Sequence, residues 1–183
     1  MPKPFYPQDL ASSAYRELLI QTHEEAPWGN KGYKHANEII EFMSSLGDQG
    51  GQMSILDYGC GSNTLANTYK DLNIQSYDPG VIEYSDMPEP ADIVVCTDVL
   101  EHIEPHLLYN VLRHISELAK VGIYLRIGVR LAKRTLPDGR NAHLIVENCQ
   151  WWLDKLATIS DRWKVRNHVE GIKLLQVYLV RSK

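Results

Sequence analysis

Apolar residues recur along this chain first at helical spacing, then in short runs with helical stretches between them. In DLASSAYRELLIQTHEEA, Leu10, Ala14 and Leu18 lie four apart, as do Ala11, Tyr15 and Leu19, which predicts one amphipathic helix. It should stop before Pro27 and the loop PWGNKGY, whose glycines suit a tight turn and, with Gly29 and Gly32 as hinges, a lid that folds over a ligand. Ile39, Ile40, Phe42, Met43 and Leu46 predict a second helix, with Gly47 at the expected stop. The linker GDQGGQ then sets these helices apart. Residues 1–52 therefore read as an N-terminal helical cap or lid, and 53–183 as the core of the same domain.

The rhythm changes after the linker. MSILDYG, NIQSYD, ADIVVCT and VGIYLRIGV read as strands, with helices near Thr64–Leu72, over Leu107–Ala119 and at NCQWWLDKL. WKVRNHV and KLLQVYLV are separated only by Glu170-Gly171-Ile172, so they predict an antiparallel hairpin. Strands alternating with helices imply an α/β fold with a mostly parallel sheet covered on both faces. Ligands of such sheets bind at the carboxyl ends of the strands, near the topological switch point. Only 13 residues, Pro79 to Ala91, lie between the second strand and the third. A parallel crossover needs about a dozen by itself, so an extra helix and an edge strand cannot both fit. A trimmed sheet of about six strands follows.

Composition adds bounds. A chain of 183 residues, 44% hydrophobic and 23% charged, suits one globular domain. No apolar run approaches the length of a bilayer span, so no membrane is expected. MPKPFYPQDL lacks the apolar stretch of a secretory signal, and a cytoplasmic location is the expectation. Cys60, Cys96 and Cys149 are odd in number and widely spaced, favouring reduced thiols over a disulfide or a metal cluster. Monomer and homodimer both stay open. Net charge is −4, which gives no overall attraction to nucleic acid. The total hides an asymmetry: residues 1–104 hold 5 Lys/Arg against 17 Asp/Glu, and residues 105–183 hold 14 against 6. The basic block includes Arg126, Arg130, Lys133, Arg134 and Arg140. It is either a solvated face or the wall of a site for an anion.

The first strand ends in DYGCGSN. Its glycines allow close backbone approach to a ligand, but Thr64 breaks the G-x-G-x-x-G fingerprint of a dinucleotide site. Asp57 would repel a pyrophosphate, yet it suits the cationic amino end of S-adenosylmethionine. Asp78, about 20 residues on, stands where an acid can accept ribose hydroxyls. Here the chain resembles the class I S-adenosylmethionine-dependent methyltransferases. The resemblance rests on ILDYGCG, YDP, ADIVVCTDVLEHI and the C-terminal hairpin, from roughly residue 53 to the end. It implies a Rossmann-like methyltransferase fold, with Asp57, Gly59 and Gly61 at the methionine end of the cofactor and Asp78 at its ribose. It also implies Asp86 and Met87 near adenine, and Thr97 and Asp98 facing the site. Asn63 stands where many members carry a third glycine. LPDGRNAHLIVE and the Trp151-Trp152 pair extend the likeness to small stand-alone methyltransferases of bacteria and their phages, whose acceptors are mostly unassigned.

Methyl transfer to a hydroxyl requires alignment and removal of a proton. In VCTDVLEHIEPH, Asp98, Glu101 and His102 stand at i, i+3 and i+4 and would share one face of a helix. Three readings stay open: a divalent-metal set completed by His143, a metal-free base at His102 or His143 beside Glu101, or simple helix capping by Asp98. The segment is similar to that of the small-RNA 3′-terminal 2′-O-methyltransferases, which implies Asp98, Glu101, His102 and His143 as ligands of Mg²⁺, Mn²⁺ or Zn²⁺. Glu104 and His106 are assigned to the solvated start of the next helix. Arg126, Arg130 and Arg140 suit an anionic acceptor, and Trp151 or Trp152 can line its pocket. The expected activity is O-methylation of a small anionic molecule such as a sugar phosphate, nucleotide or polysaccharide precursor. The alternatives are metal-dependent 2′-O-methylation of RNA ends, and cofactor binding or degradation without transfer.

Overall fold

Six strands, β1 (Ile55–Tyr58), β2 (Ile74–Tyr77), β3 (Ala91–Thr97), β4 (Ala119–Gly128), β5 (Trp163–Glu170) and β6 (Leu174–Arg181), join in the order β2-β1-β3-β4-β6-β5. The structure, a computed structural model, describes residues 5–25, 28–159 and 161–182. The first four strands of chain order run parallel, and β6 runs antiparallel to both β4 and β5. The chain leaves β1 for β2 on one side and returns to β3 on the other. That reversal opens a crevice at the carboxyl ends of β1 and β3. The return from β2 carries only the 3-10 turn Ile82–Tyr84, so the sheet is trimmed as the spacing predicts.

The described residues include α1 (Ser13–Glu25), α2 (Ala36–Ser45), α3 (Thr64–Thr68), α4 (Leu108–Leu118) and α5 (Cys149–Ala157). Strand alternation sends Leu56, Val94 and Cys96 toward α4 and α5, where they meet Val111, Leu112, Ile115 and Trp152. Ile55, Ile93 and Val95 face the other way, against Ile39, Phe42 and Met43 of α2. Sheet and helices thus form three layers. The predicted third helix ends at Thr68, short of Leu72, because Tyr69 and Leu72 turn inward against the α2 cluster.

The N-terminal helices divide their work. α2 covers a sheet face, whereas α1 lies over the carboxyl ends of the strands. Its Tyr15 is buried with Ala11 and Leu136, and Leu18, Leu19, Trp28 and Leu144 pack around them. α1 starts at Ser13, later than expected, because Ser12 caps it: the Ser12 hydroxyl accepts from the Tyr15 amide at 3.2 Å. The amide and hydroxyl of Ser12 both donate to the Glu104 carboxylate at 2.8 Å. Glu104 is therefore an anchor for α1, which corrects its assignment to a solvated helix start. The expected stop at Pro27 lies outside the described residues. No described helix is long and apolar enough to cross a membrane.

Candidate active site

A cavity of about 770 Å³ opens where β1, β2 and β3 end, beneath α1. Its floor is the turn after β1. Gly59 has φ +86°, and a Cβ there would come within 2.3 Å of Val99. Gly61 has φ +51°, and a Cβ would meet the Gly29 Cα at 2.6 Å and the Trp28 carbonyl oxygen at 2.7 Å. Only glycine permits both the left-handed backbone and this contact between loops. The Ser62 amide and hydroxyl fasten the same place by donating to the Trp28 carbonyl at 3.0 and 2.6 Å. Asn63 also takes the left-handed conformation, at φ +53°, which asparagine tolerates. Its side-chain oxygen accepts from the Ser76 hydroxyl at 2.7 Å.

Two carboxylates line this end. Asp57 is 4% exposed, and burial, with the Asp78 charge behind it, pushes its carboxyl up to about 7. Asp78 accepts from the Gly61 amide at 2.9 Å and from the Gly80 amide at 2.8 Å. Nε2 of His23 in α1 lies 3.9 Å from the oxygen that accepts from Gly80. Asp78 thus shapes the glycine turn as well as lining the cavity. Thr97 and Asp98 border the cavity at the end of β3.

The turn after β3 departs from the expected helix. Asp98 has φ +56°, and Leu100–His102 form one 3-10 turn without a side-chain cap. Asp98, Glu101 and His102 therefore do not share a helical face. The Asp98 carboxylate is held by the Arg126 guanidinium, and its amide donates to the Arg126 carbonyl at 2.7 Å. Glu101 points inward and is fully buried. One oxygen accepts from the Gly128 amide at 2.7 Å, and the other has no partner among the described residues. Gly128 admits it: a Cβ there would stand 2.5 Å from that first oxygen. Burial, reinforced by Asp98, pushes Glu101 up to about 8.

His143 closes over this turn. The His102 and His143 rings meet edge to face, with centroids 4.8 Å apart. Nδ1 of His102 lies 2.8 Å from the Ala142 carbonyl oxygen, and Nδ1 of His143 contacts the Arg130 carbonyl. A carbonyl only accepts, so each neutral ring carries its proton on Nδ1 and presents a bare Nε2. Burial, then the neighbouring His143, drives His102 down to about 4. The Tyr15 hydroxyl fixes the turn from above, donating to the His102 carbonyl at 2.6 Å. One ligand atom from each of Glu101, His102 and His143 falls within 4.8 Å of the others. Backbone-anchored imidazoles beside an unpartnered carboxylate oxygen are the donor set of a divalent cation, and equally of a proton acceptor. Asp98, tied to Arg126, is outside that set.

The methyltransferase domain family matches residues 30–164, most of the chain. This chain belongs to the class I S-adenosylmethionine-dependent methyltransferases. The methyltransferase superposes along its whole length on 94% of the 1,6-didemethyltoxoflavin-N1-methyltransferase of Burkholderia thailandensis, with TM-score 0.66 and 12% identity. That structure holds 1,6-didemethyltoxoflavin and S-adenosylhomocysteine. The magnesium protoporphyrin IX methyltransferase of Synechocystis PCC 6803, with S-adenosylmethionine bound, matches all of this chain and 86% of its own (TM-score 0.55, 13% identity). A methyltransferase of Clostridium acetobutylicum matches 84% of this chain and 92% of its own (TM-score 0.60, 11% identity). At such identities the likeness is one of fold. No curated protein matches this chain in sequence.

The residues fit the family's cofactor. The glycine cradle has no room for a Cβ, and a buried carboxylate stands at its head to meet an ammonium. Several predicted site residues lie elsewhere in the methyltransferase. Asp86 is exposed and Met87 packs against the core; neither lines the cavity. Arg126 is engaged by Asp98 rather than free for an acceptor. Arg140 pairs with Asp138 at 2.7 Å and lies over the Tyr15 ring, 5.9 Å from its centroid, without lining the cavity itself. Trp151 packs edge to face on Trp152, with which it joins the core, and neither ring reaches the cavity. Arg130 does line it, together with Lys133, Arg134 and Lys173. Sequence reasoning missed Lys173, and also Tyr15 and His23 of the roof, the apolar position of Tyr15 having marked it for burial only. For Trp28 it offered the loop PWGNKGY as a lid hinged at Gly29 and Gly32, without singling out the indole.

Proposed function

We propose that this methyltransferase acts on a hydroxyl of a small anionic acceptor. The carrying observation is the pair of bare imidazole nitrogens of His102 and His143 beside a cavity wall of Arg130, Lys133, Arg134 and Lys173. Asp57 receives the cofactor's ammonium, the Gly59 and Gly61 backbones its carboxylate end, and Asp78 its ribose. The acceptor oxygen attacks the methyl carbon, the carbon–sulfur bond breaks, and the sulfur keeps the electron pair. The hydroxyl proton passes to Nε2 of His143 or His102. The basic wall holds the acceptor's anionic group and orients the hydroxyl. Glu101, His102 and His143 also fit a divalent cation, which when bound would lower the pKa of the attacking hydroxyl.

A second reading, 2′-O-methylation of an RNA end, is favoured by the same Glu101–His102–His143 cluster. Methyl-labelled S-adenosylmethionine supplied with fractionated small molecules and, in parallel, with total RNA separates the two. Alkali-stable label in an anionic small-molecule fraction is expected. Label confined to RNA would overturn the proposal in favour of the second reading. Transfer that survives EDTA would remove the cation and leave an imidazole as the base.

A further inference from the structure

The cofactor's sulfonium carries a positive charge that its product lacks, and the cavity offers few groups to receive it. Asp57 is placed for the ammonium, and Asp78 is bound to the Gly61 and Gly80 amides at the ribose end. The Asp98 carboxylate is neutralised by Arg126. Glu101 lies behind the imidazoles with one oxygen on the Gly128 amide. The reacting sulfur would stand between the glycine cradle and the His102–His143 pair, and of the roof residues Tyr15, His23 and Trp28 it is Trp28 that touches both the glycine turn and the His102 ring. Its carbonyl is clamped by Ser62, and the backbone of Gly29 touches that of Gly61. Its indole lies 5.3 Å from the His102 ring and 6.2 Å from the His23 ring, centroid to centroid. It is half-buried, packed on the α1 side against the Tyr15 cluster, and it lines the cavity.

We propose that the Trp28 indole is the cation-recognising wall of the cofactor site, its π face receiving the sulfonium. Tryptophan offers the most negative ring face of any side chain, and desolvation beneath a roof strengthens the attraction. The consequence is directional. Charged cofactor holds the 28–32 loop closed on the glycine turn, and loss of the charge on methyl transfer weakens that hold, so neutral product leaves more readily. This inference needs only the cofactor and is independent of the acceptor.

Calorimetric titration with three ligands tests it: S-adenosylmethionine, S-adenosylhomocysteine, and the analogue in which a protonated amine replaces the methylsulfonium. Trp28→Leu should weaken both cationic ligands by about tenfold and the neutral one by less than about threefold. Trp28→Phe, which keeps a ring of weaker quadrupole, should fall between. Equal losses for all three ligands would make Trp28 a packing residue and overturn the proposal, as would no loss at all. Should the leucine variant not fold, the phenylalanine variant decides alone: its cationic-to-neutral affinity ratio must drop by about threefold, and an unchanged ratio sinks the idea.

Discussion

At the scale of single residues, the site is organised by carboxylates whose surroundings differ. Asp57 is buried with the Asp78 charge near it, and its carboxyl is pushed up to about 7. A cationic ligand prefers it ionised, so binding below that pH must first remove a proton. Affinity for S-adenosylmethionine should therefore rise by roughly five- to tenfold between pH 6 and pH 7.5 and then level off. Asp57→Asn should bind more weakly at pH 7.5 and show no such rise in calorimetry. A steep rise persisting in the variant would move the titrating group elsewhere. Asp98 shows the opposite environment. Its charge is already matched by Arg126, which is why a residue that sequence spacing grouped with Glu101 and His102 leaves their cluster.

At the scale of elements, α1 owes its place to side chains more than to its own helical strength. A helix this short is marginal alone, and its stability comes from packing and caps. Ser12 bridges the α1 amides and Glu104, while Tyr15 reaches the His102 carbonyl. Glu104→Ala should cost about 1–2 kcal/mol of local stability and leave the sheet intact. Hydrogen exchange should then quicken in residues 13–25 while β1, β3 and β4 stay protected. Uniform quickening across the sheet would show instead that α1 and the core unfold as one unit. The amphipathic spacing made α1 legible as a helix and Tyr15 as a buried face. It could not tell that the face would cover a cavity rather than the sheet, because α1 and α2 carry the same kind of apolar stripe.

At the scale of the whole molecule, one buried histidine links stability to pH far from the chemistry. His114 of α4 is 4% exposed, lies 3.0 Å from the Tyr58 hydroxyl, and packs in a tilted contact with the Phe5 ring. Burial, then the Arg113 charge, lowers it to about 4, so the native protein keeps it neutral while the unfolded chain protonates it near pH 6.5. Its contribution is complete above about pH 6.5 and is lost as pH falls toward 4. Urea midpoints at pH 7 and pH 5 should differ less in His114→Gln than in the parent protein. Equal differences would exclude His114 as a source of acid sensitivity.

The sequence by itself determined the alternation of strands and helices, the glycine turn after β1, the acids at the ends of β1 and β2, the short return to β3 and the closing hairpin. Each is local: a side-chain period, a turn residue or a segment length dictates the backbone within a few residues. Only the tertiary structure decided that His143 meets Glu101 and His102, that Arg126 takes Asp98, that Glu104 holds Ser12, and that Trp28 roofs Gly61. Those partners are brought together by the paths of loops, and residue spacing carries no record of a loop's path.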